Sequence, residues 1–514
     1  MGGSVAITQH ICRLVRTLVD SQGSLATKAV RSGVWVVIGR AVGRLLTFIR
    51  TIVLARLLAP DDFGLFAIAL LGLHLLDTLS QTGFDAALIH RRDDATAPYL
   101  DTAWVVQVGR AAALALALAL CAGPIATFFK EPAAGPLLRL VALGVLLGGF
   151  TNIGVLYLRK DLEFRRQTVF QLSTVFADAA VSIAAAVVLR SAWALAWGFV
   201  AAQGTRTVVS FAIHPYRPKL RFDRGQAGEL FGFGKWVFST RVLNFLVESV
   251  DTGVVGKLLD AASLGLFNMA SRLSATAATE ITHVVSQVTF PTLAKVREDR
   301  DRLRTVASRT LSLVSLVSLP LAGGLFVLAP EVVRTLLGRQ WEAMIPALQL
   351  LLISGAVRSL TANFGPLFLA AGRPDIQTKV SLLNLLILGV TLVPLVGSFG
   401  ILGAVYARLL TLATQFYAWP QFLRLAGIRA REVVKILAPP AAATALAMGA
   451  ILILRAGIAS AGVGALAVLL ATGISLYLVV VWAADRLTGS YHQHNLQRIV
   501  QLLGDPDDGL PRDT

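Results

Sequence analysis

The sequence predicts an all-α polytopic membrane protein. About fourteen transmembrane helices are arranged as two parallel six-helix repeats plus two accessory helices. Three observations predict it: an apolar composition, apolar runs of bilayer length along the chain, and an internal repeat. Of the 514 residues, 55% are hydrophobic, against roughly 45–50% apolar residues in soluble domains. Mean hydropathy is +0.69. A soluble chain this apolar could not cover its own surface.

Runs close to the ~20 residues that cross a bilayer fall at about 33–57, 63–87, 103–129, 137–158, 169–189, 192–213 and 232–258. They continue at about 263–289, 308–330, 345–369, 378–396, 400–423, 435–454 and 461–484. The shortest connections are the splits at Arg190 and at Gly397–Gly400.

Residues 33–69 recur without a gap at 234–270. Gly33, Trp35, Arg40, Thr51, Leu57, Gly64 and Phe66 are among the residues that reappear 201 positions later, as Gly234, Trp236, Arg241, Thr252, Leu258, Gly265 and Phe267. Further along, Pro136, Leu138, Gln167 and Leu172 match Pro346, Leu348, Gln377 and Leu382. Six spans per repeat is an even number, so both halves enter the membrane in the same sense. Such repeats are related by an axis along the membrane normal, an architecture of secondary transporters. The expected organisation is a leader 1–32, an N-lobe 33–213, a basic linker 214–231 broken by Pro215 and Pro218, and a C-lobe 232–424. Accessory helices at 435–484 and a tail at 485–514 complete it.

The formal charge of +17 does not point to nucleic acid, because its distribution follows the membrane. With the N-terminus inside, the inner segments hold roughly thirty Lys and Arg. They include Arg91 and Arg92, Arg159 to Arg166, Arg217 to Arg224, Lys295 to Arg304, and Arg424 to Lys435. The outer loops hold few, such as Lys130, Arg334, Arg339 and Arg455. This bias places both termini in the cytoplasm. Residues 1–30 lack the apolar core of a cleaved signal. Val5–Val19 reads as disordered, or as a weak amphipathic helix on the membrane surface. Cys12 and Cys121 are the only cysteines, so neither a disulfide framework nor a Cys metal site is expected.

Ionisable residues inside spans are functional candidates because each is costly unless it faces a partner or water. At 100° per residue, Arg40, Arg44, Thr47 and Thr51 form one stripe on span 1, with Arg50 on its flank. The repeat places Arg241, Asn244, Glu248, Asp251 and Thr252 on the matching face of span 7. Two polar stripes suggest a water-filled cavity between lobes, with Arg40, Arg44, Arg50, Arg241 and Arg272 as its cationic lining. Guanidinium stays charged in low dielectric and binds phosphate bidentately, so this lining suits a phosphate-bearing passenger. Arg139, Arg206 and Arg408 read instead as snorkelling to headgroups. Asn244, Glu248, Asp251, Glu280 and Asp178 are the coupling or gating candidates, and His283 joins the acids in an alternative ion-coupling site. Arg50 and Asp251 are repeat partners of opposite charge. Either they meet across the pseudo-twofold axis as a gate, or each pairs within its own lobe, as Asp251 would with Lys257 or Arg272.

The stretch R-T-I-V-L-A-R-L-L-A-P-D-D-F-G-L-F-A at 50–67 resembles the opening of bacterial polysaccharide-export flippases. These belong to the multidrug/oligosaccharidyl-lipid/polysaccharide transporter superfamily. L-Y-L-R-K-D-L-E-F-R-R-Q at 156–167, G-L-F-N-M-A-S-R-L at 265–273, F-P-T-L-A-K-V-R-E-D at 290–299 and L-A-A-G-R-P-D at 369–375 extend the resemblance over about 30–485. It implies a V-shaped pair of lobes around a cationic cavity in the bacterial inner membrane. The implied cargo is a polyprenyl-diphosphate-linked oligosaccharide, moved from the cytoplasmic to the periplasmic face for exopolysaccharide or O-antigen synthesis. Membrane lipid surrounds it, and a polysaccharide polymerase and co-polymerase are the implied protein partners.

No catalytic residues, cofactor or metal site are expected. The G-x-x-x-x-G-K-[ST] nucleotide motif is absent, and no His/Cys/Asp/Glu cluster has metal-ligand spacing. Two other functions compete. A drug or metabolite cation antiporter of the same superfamily conflicts with an arginine-rich lining. A membrane glycan polymerase would need acids on long outer loops, and the longest, about 331–344, offers only Glu331 and Glu342.

Overall fold

A computed structural model describes residues 25–80, 99–160, 163–223, 225, 242–243, 245–276, 299–457 and 462–488. Every regular element among them is helical. Eight described helices are long and apolar enough to cross a membrane. The protein is therefore an all-α, multi-pass membrane protein. By contact clustering it divides into two compact units, one of 1–58 and 69–242, the other of 59–68 and 243–514.

In the first unit, α1 runs Leu25–Leu57. It starts eight residues before the predicted span, because no Gly or Pro interrupts the Leu-Ala-Thr-Lys-Ala-Val-Arg approach. α2 (Pro60–Ser80) follows, and most of it belongs to this unit. Then come α3 (Tyr99–Phe129), α4 (Ala134–Gly149), α5 (Phe164–Leu189) and α6 (Trp193–Ile213). α5 packs on both α1 and α6. The split predicted at Arg190 is present: Arg190 takes a left-handed φ of 45° and closes α5.

Span 4, expected to reach 158, stops at Gly149. The Gly148-Gly149 pair is weakly helical, and Asn152 offers the backbone other partners. Fully buried, Asn152 accepts from the Gly154 N–H at 2.9 Å and donates its own N–H to Ser210 Oγ at 2.9 Å. Gln107 Nε2 donates to the freed carbonyls of Gly149 (2.8 Å) and Thr151 (3.0 Å). A 3-10 turn, Ile153–Leu156, takes the place of the last helical turns.

In the second unit, α7 covers 245–258 and α8 covers 261–276. The helices α9 (Arg300–Val332), α10 (Ile345–Thr361), α11 (Phe364–Ala370) and α12 (Pro374–Phe399) follow. The predicted split near Gly397–Gly400 falls at Gly400, which takes a φ of 58° that favours glycine. Beyond it, span 12 is α13 (Ile401–Leu410) and α14 (Gln415–Ala426) joined by a 3-10 turn. Predicted span 10 is likewise broken, between α10 and α11 at Ala362–Asn363.

α15 (Ala430–Gly457) and α16 (Val463–Thr488) pack on each other, and α15 packs along α9. Ion pairs clamp α9 to α15 at both ends. Arg304 Nε lies 3.2 Å from Glu432 Oε2, and Arg455 Nε lies 2.6 Å from Glu331 Oε1. At 1.5 Å per residue the two clamps are about 35–40 Å apart, enough to frame the hydrocarbon of a bilayer. Between them small groups allow close approach: a Cβ on Gly323 would lie 2.5 Å from Thr444 Cγ2.

Candidate functional site

α1 presents Arg40 and Arg44 as exposed side chains. Thr47 and Thr51 turn their hydroxyls back onto the carbonyls of Gly43 and Thr47, at 2.9 and 2.8 Å. The stripe is therefore cationic at its N-terminal end, and self-satisfied and increasingly buried at its C-terminal end. Arg50, on the flank, is buried. Its Nη2 lies 2.8 Å from Asp178 Oδ1 on α5, and its Nε donates to Ser182 Oγ at 2.9 Å. Asp178, predicted as a gating candidate, is thus the counter-ion of Arg50.

Across the repeat the polarity inverts. Asp251 on α7 is 2% exposed, and its Oδ2 receives both Nη2 and Nε of Arg408 on α13, at 2.6 and 2.7 Å. Its Oδ1 accepts from the Thr252 N–H at 2.9 Å. Pairing within each unit is what the structure shows, but Asp251 takes Arg408 rather than Lys257 or Arg272. Arg408, read as snorkelling, is instead 19% exposed in its side chain and held by a buried carboxylate. A carboxylate in low dielectric holds a guanidinium more strongly than distant headgroups do.

At the later repeat offset of 210, the counterpart of Arg408 is Gly198. A Cβ there would lie 2.6 Å from Ser182 Cβ and 2.7 Å from Asp178 Oδ1. The first unit therefore draws its counter-charge from span 5, beside a bare span 6, and the second draws it from span 12.

Glu248 is exposed one turn before Asp251, and Arg408 Nη2 reaches its carbonyl oxygen at 3.5 Å. Arg358 on α10 is exposed within the electrostatic reach of Arg408, Glu248 and Asp251. Arg272 is exposed on α8, and Arg139 and Arg206 are exposed on α4 and α6. Arg241, Asn244, Glu280 and His283 lie outside the described residues.

Sequence reading missed three features. The grouping of Arg358 with Arg408 is one. Another is the pairing of Arg110 with Asp77, where Arg110 Nε also donates to the Ser80 carbonyl at 3.1 Å. The third is the seat of the linker on the first unit. Tyr216 donates its hydroxyl to Asp101, which also accepts from the Lys219 N–H at 2.9 Å. Burial, and then the bond to Asp101, push the Tyr216 hydroxyl well above its ordinary value. The Asp223 N–H donates to Thr102 Oγ1 at 3.3 Å, and Asn152 Nδ2 donates to the Tyr216 carbonyl at 2.6 Å. The first-turn acid of α3 and the lone Asn after span 4 were the signals available for it.

Among the described residues no group of three or more His, Cys, Asp or Glu side chains could hold a metal ion. The arrangement is one of buried, internally neutralised ion pairs beside exposed arginines on membrane-length helices. Fold and charge pattern together define a polytopic membrane protein with paired charges inside its spans. The chain belongs to the polysaccharide biosynthesis protein family, which it matches over residues 53–346.

It is 26% identical to the lipopolysaccharide biosynthesis protein WzxC of Escherichia coli (strain K12), over 69% of this chain and 73% of that one. With the succinoglycan biosynthesis transport protein ExoT of Rhizobium meliloti (strain 1021) it shares 24% identity, over 68% and 70% of the two chains. Among solved structures, the lipid II flippase MurJ in its inward closed conformation superposes with a TM-score of 0.70. That match covers 88% of this chain and 99% of the other at 15% identity, so it establishes the fold.

Proposed function

We propose that the protein is a flippase for a polyprenyl-diphosphate-linked oligosaccharide repeat unit, moving it from the cytoplasmic to the periplasmic face of the inner membrane. The family match over residues 53–346 carries this reading. The names of its relatives, which describe lipopolysaccharide biosynthesis and succinoglycan transport, support it. The protein performs no bond chemistry of its own. The lipid tail crosses in hydrocarbon, while the sugars and diphosphate require a polar path. Taking a diphosphate out of water costs several kcal/mol per charge unless fixed cations replace its hydration. Arg40 and Arg44, exposed on α1, are the candidates for such replacement, because guanidinium keeps its charge in low dielectric.

The reading includes two six-span halves with two accessory helices, both termini in the cytoplasm, and hand-over to a polysaccharide polymerase and co-polymerase. The repeat, the positive-inside pattern and the clamping of α15 onto α9 support that layout.

The test is deletion of the gene in its native host, with lipid-linked oligosaccharide measured in inner-membrane extracts and polymer measured at the surface. Accumulation of repeat units on the lipid with loss of surface polymer is expected, and Arg44→Ala should complement poorly. Unchanged lipid-linked units together with new sensitivity to cationic drugs would replace this reading with the antiporter.

A further inference from the structure

The basic linker sits on the first unit as an arch with two feet. Pro215 and Pro218 lock φ and disfavour a helix before them, so the chain leaves α6 extended, with His214 at φ −114° and ψ 132°. One foot is the Lys219 N–H on Asp101, and the other is the Asp223 N–H on Thr102 Oγ1. Asp101 and Thr102 are neighbours at the start of α3. Between the feet the Arg221 N–H donates to the Lys219 carbonyl at 2.8 Å, a γ-turn with Leu220 at its tip. The turn holds Leu220 away from the protein, 87% exposed, and Phe222 is 56% exposed beside it.

Lys219 and Arg221 flank Leu220 and are exposed as well. Among the described residues the Lys219 ammonium and the Arg221 guanidinium make no ion pair and no hydrogen bond. Arg217 differs. Its Nη1 is spent on the carbonyls of His214 (2.8 Å) and Tyr216 (3.0 Å), and its guanidinium lies 5.8 Å over the Phe211 ring. Single apolar residues on a surface are ordinary. Two large ones held out by a turn, interleaved with unpaired cations, combine the apolar and electrostatic attractions that bring a segment onto an anionic lipid surface. The feet lie in the first turn of a span that runs Leu100–Phe129. Trp104, Tyr157 and Tyr216 pack at the same end, against Leu100, Ala103 and Ile153. Trp and Tyr concentrate at the headgroup level of a bilayer.

We propose that residues 219–222 are a lipid anchor. Leu220 and Phe222 enter the boundary between headgroups and acyl chains, while Lys219 and Arg221 meet the phosphates of anionic phospholipid. Lipid rather than a protein partner is the occupant, because the arch is carried at the end of a span, where headgroups already surround it. The anchor is independent of the cargo and so stands apart from the flippase reading.

The test places a nitroxide on the arch of the full chain, as Leu220→Cys in a Cys12→Ser, Cys121→Ser background. The label, itself apolar, stands in for Leu220. Nanodiscs are made of phosphatidylcholine with or without phosphatidylglycerol. Collisions with oxygen, which enriches in lipid, and with a nickel chelate, which stays in water, report where the label lies. With phosphatidylglycerol, oxygen collisions should dominate. Lys219→Gln with Arg221→Gln should lower the ratio of lipid-seated to water-exposed label about tenfold or more, the scale of two basic residues near an anionic surface. Lys219→Arg with Arg221→Lys should keep it. The comparison of lipid mixtures uses one protein and remains decisive if the double Gln variant is unstable. Dominant nickel collisions in both mixtures put the arch in water and overturn the anchor. Loss of both kinds of collision, in detergent as in nanodiscs, overturns it in favour of a protein contact. Equal depth in both mixtures, unmoved by the double Gln variant, overturns the role of anionic headgroups. Each of these results leaves the flippase reading intact.

Discussion

Gly64 and Gly265 hold the same place in the two repeats, and each lays bare backbone against the segment that carries the other. A Cβ on Gly64 would lie 1.7 Å from the Ala261 carbonyl oxygen, and one on Gly265 would lie 1.9 Å from that of Pro60. Pro60 and Ala261 are themselves repeat partners. The contact is self-complementary, as across a twofold axis, and all four residues belong to one compact unit. Phe63, next to Gly64, packs edge-on against the buried Trp341 with ring centroids 5.1 Å apart.

Gly64→Ala and Gly265→Ala should therefore each destabilise the protein by about 1–3 kcal/mol, because the obstacle is backbone and cannot rotate away. The double variant should cost less than the sum, since separating the segments once relieves both clashes. Thermal unfolding in detergent, with surface polymer as the functional readout, checks this. Wild-type melting in both single variants would mean the close contact is not made.

Removing Asp251 leaves the half-buried Arg408 without its carboxylate. Asp251→Ala should cost about 3–5 kcal/mol, the range for breaking a buried pair. Reversing both charges, Asp251→Arg with Arg408→Asp, should restore much of the loss. Arg50→Asp should not rescue Asp251→Arg, because Arg50 is committed to Asp178. Rescue by Arg50→Asp alone would assign Asp251 a different partner.

The two repeats split one capping arrangement between them. Asp62 reaches back to accept from the Ala59 N–H at 3.0 Å, whereas Asp260 reaches forward to accept from the Ser263 N–H at 2.8 Å. The bonds from Ser263 hold the Asp260 carboxyl below its ordinary value. A depressed carboxyl stabilises the fold above its unfolded pKa, and that contribution disappears as pH falls through the folded value. Asp260→Ala should lower stability by about 1 kcal/mol at neutral pH. Asp260→Asn should keep the cap and flatten the acid limb of a melting-temperature profile. An unaltered acid limb in Asp260→Asn would contradict this.

Tyr216→Phe removes one of the two bonds to the Asp101 carboxylate and leaves the one from Lys219. A loss near 1 kcal/mol is expected, and Asp101→Ala, which loses both, should cost more. Spin labels at Lys219 and on α3 should gain mobility relative to each other in Asp101→Ala. Equal distance distributions in variant and wild type would show that the linker is seated by other contacts.

Much of the site was visible in one dimension. Arg50, Asp178 and Asp251 stood out because a charge inside an apolar run has few reasons to be there. The choice of partners was not visible. Lys257 and Arg272 are near Asp251 in sequence, yet Arg408 captures it, because helix packing brings α13 against α7. The end of span 4 was misplaced for a related reason. An apolar run gives no sign that Asn152 will leave the helix for Ser210 and Tyr216, partners 58 and 64 residues away.

The sequence by itself determined that the chain is helical, membrane-embedded and internally duplicated, and where it breaks at Arg190 and Gly400. Those properties follow from local apolar length, residue spacing and backbone preference. Only the tertiary structure decided which charges neutralise one another, pairing Arg50 with Asp178 and Asp251 with Arg408. In a membrane interior the cost of a charge depends on what lies within a few ångströms of it, and that distance is set by helix packing.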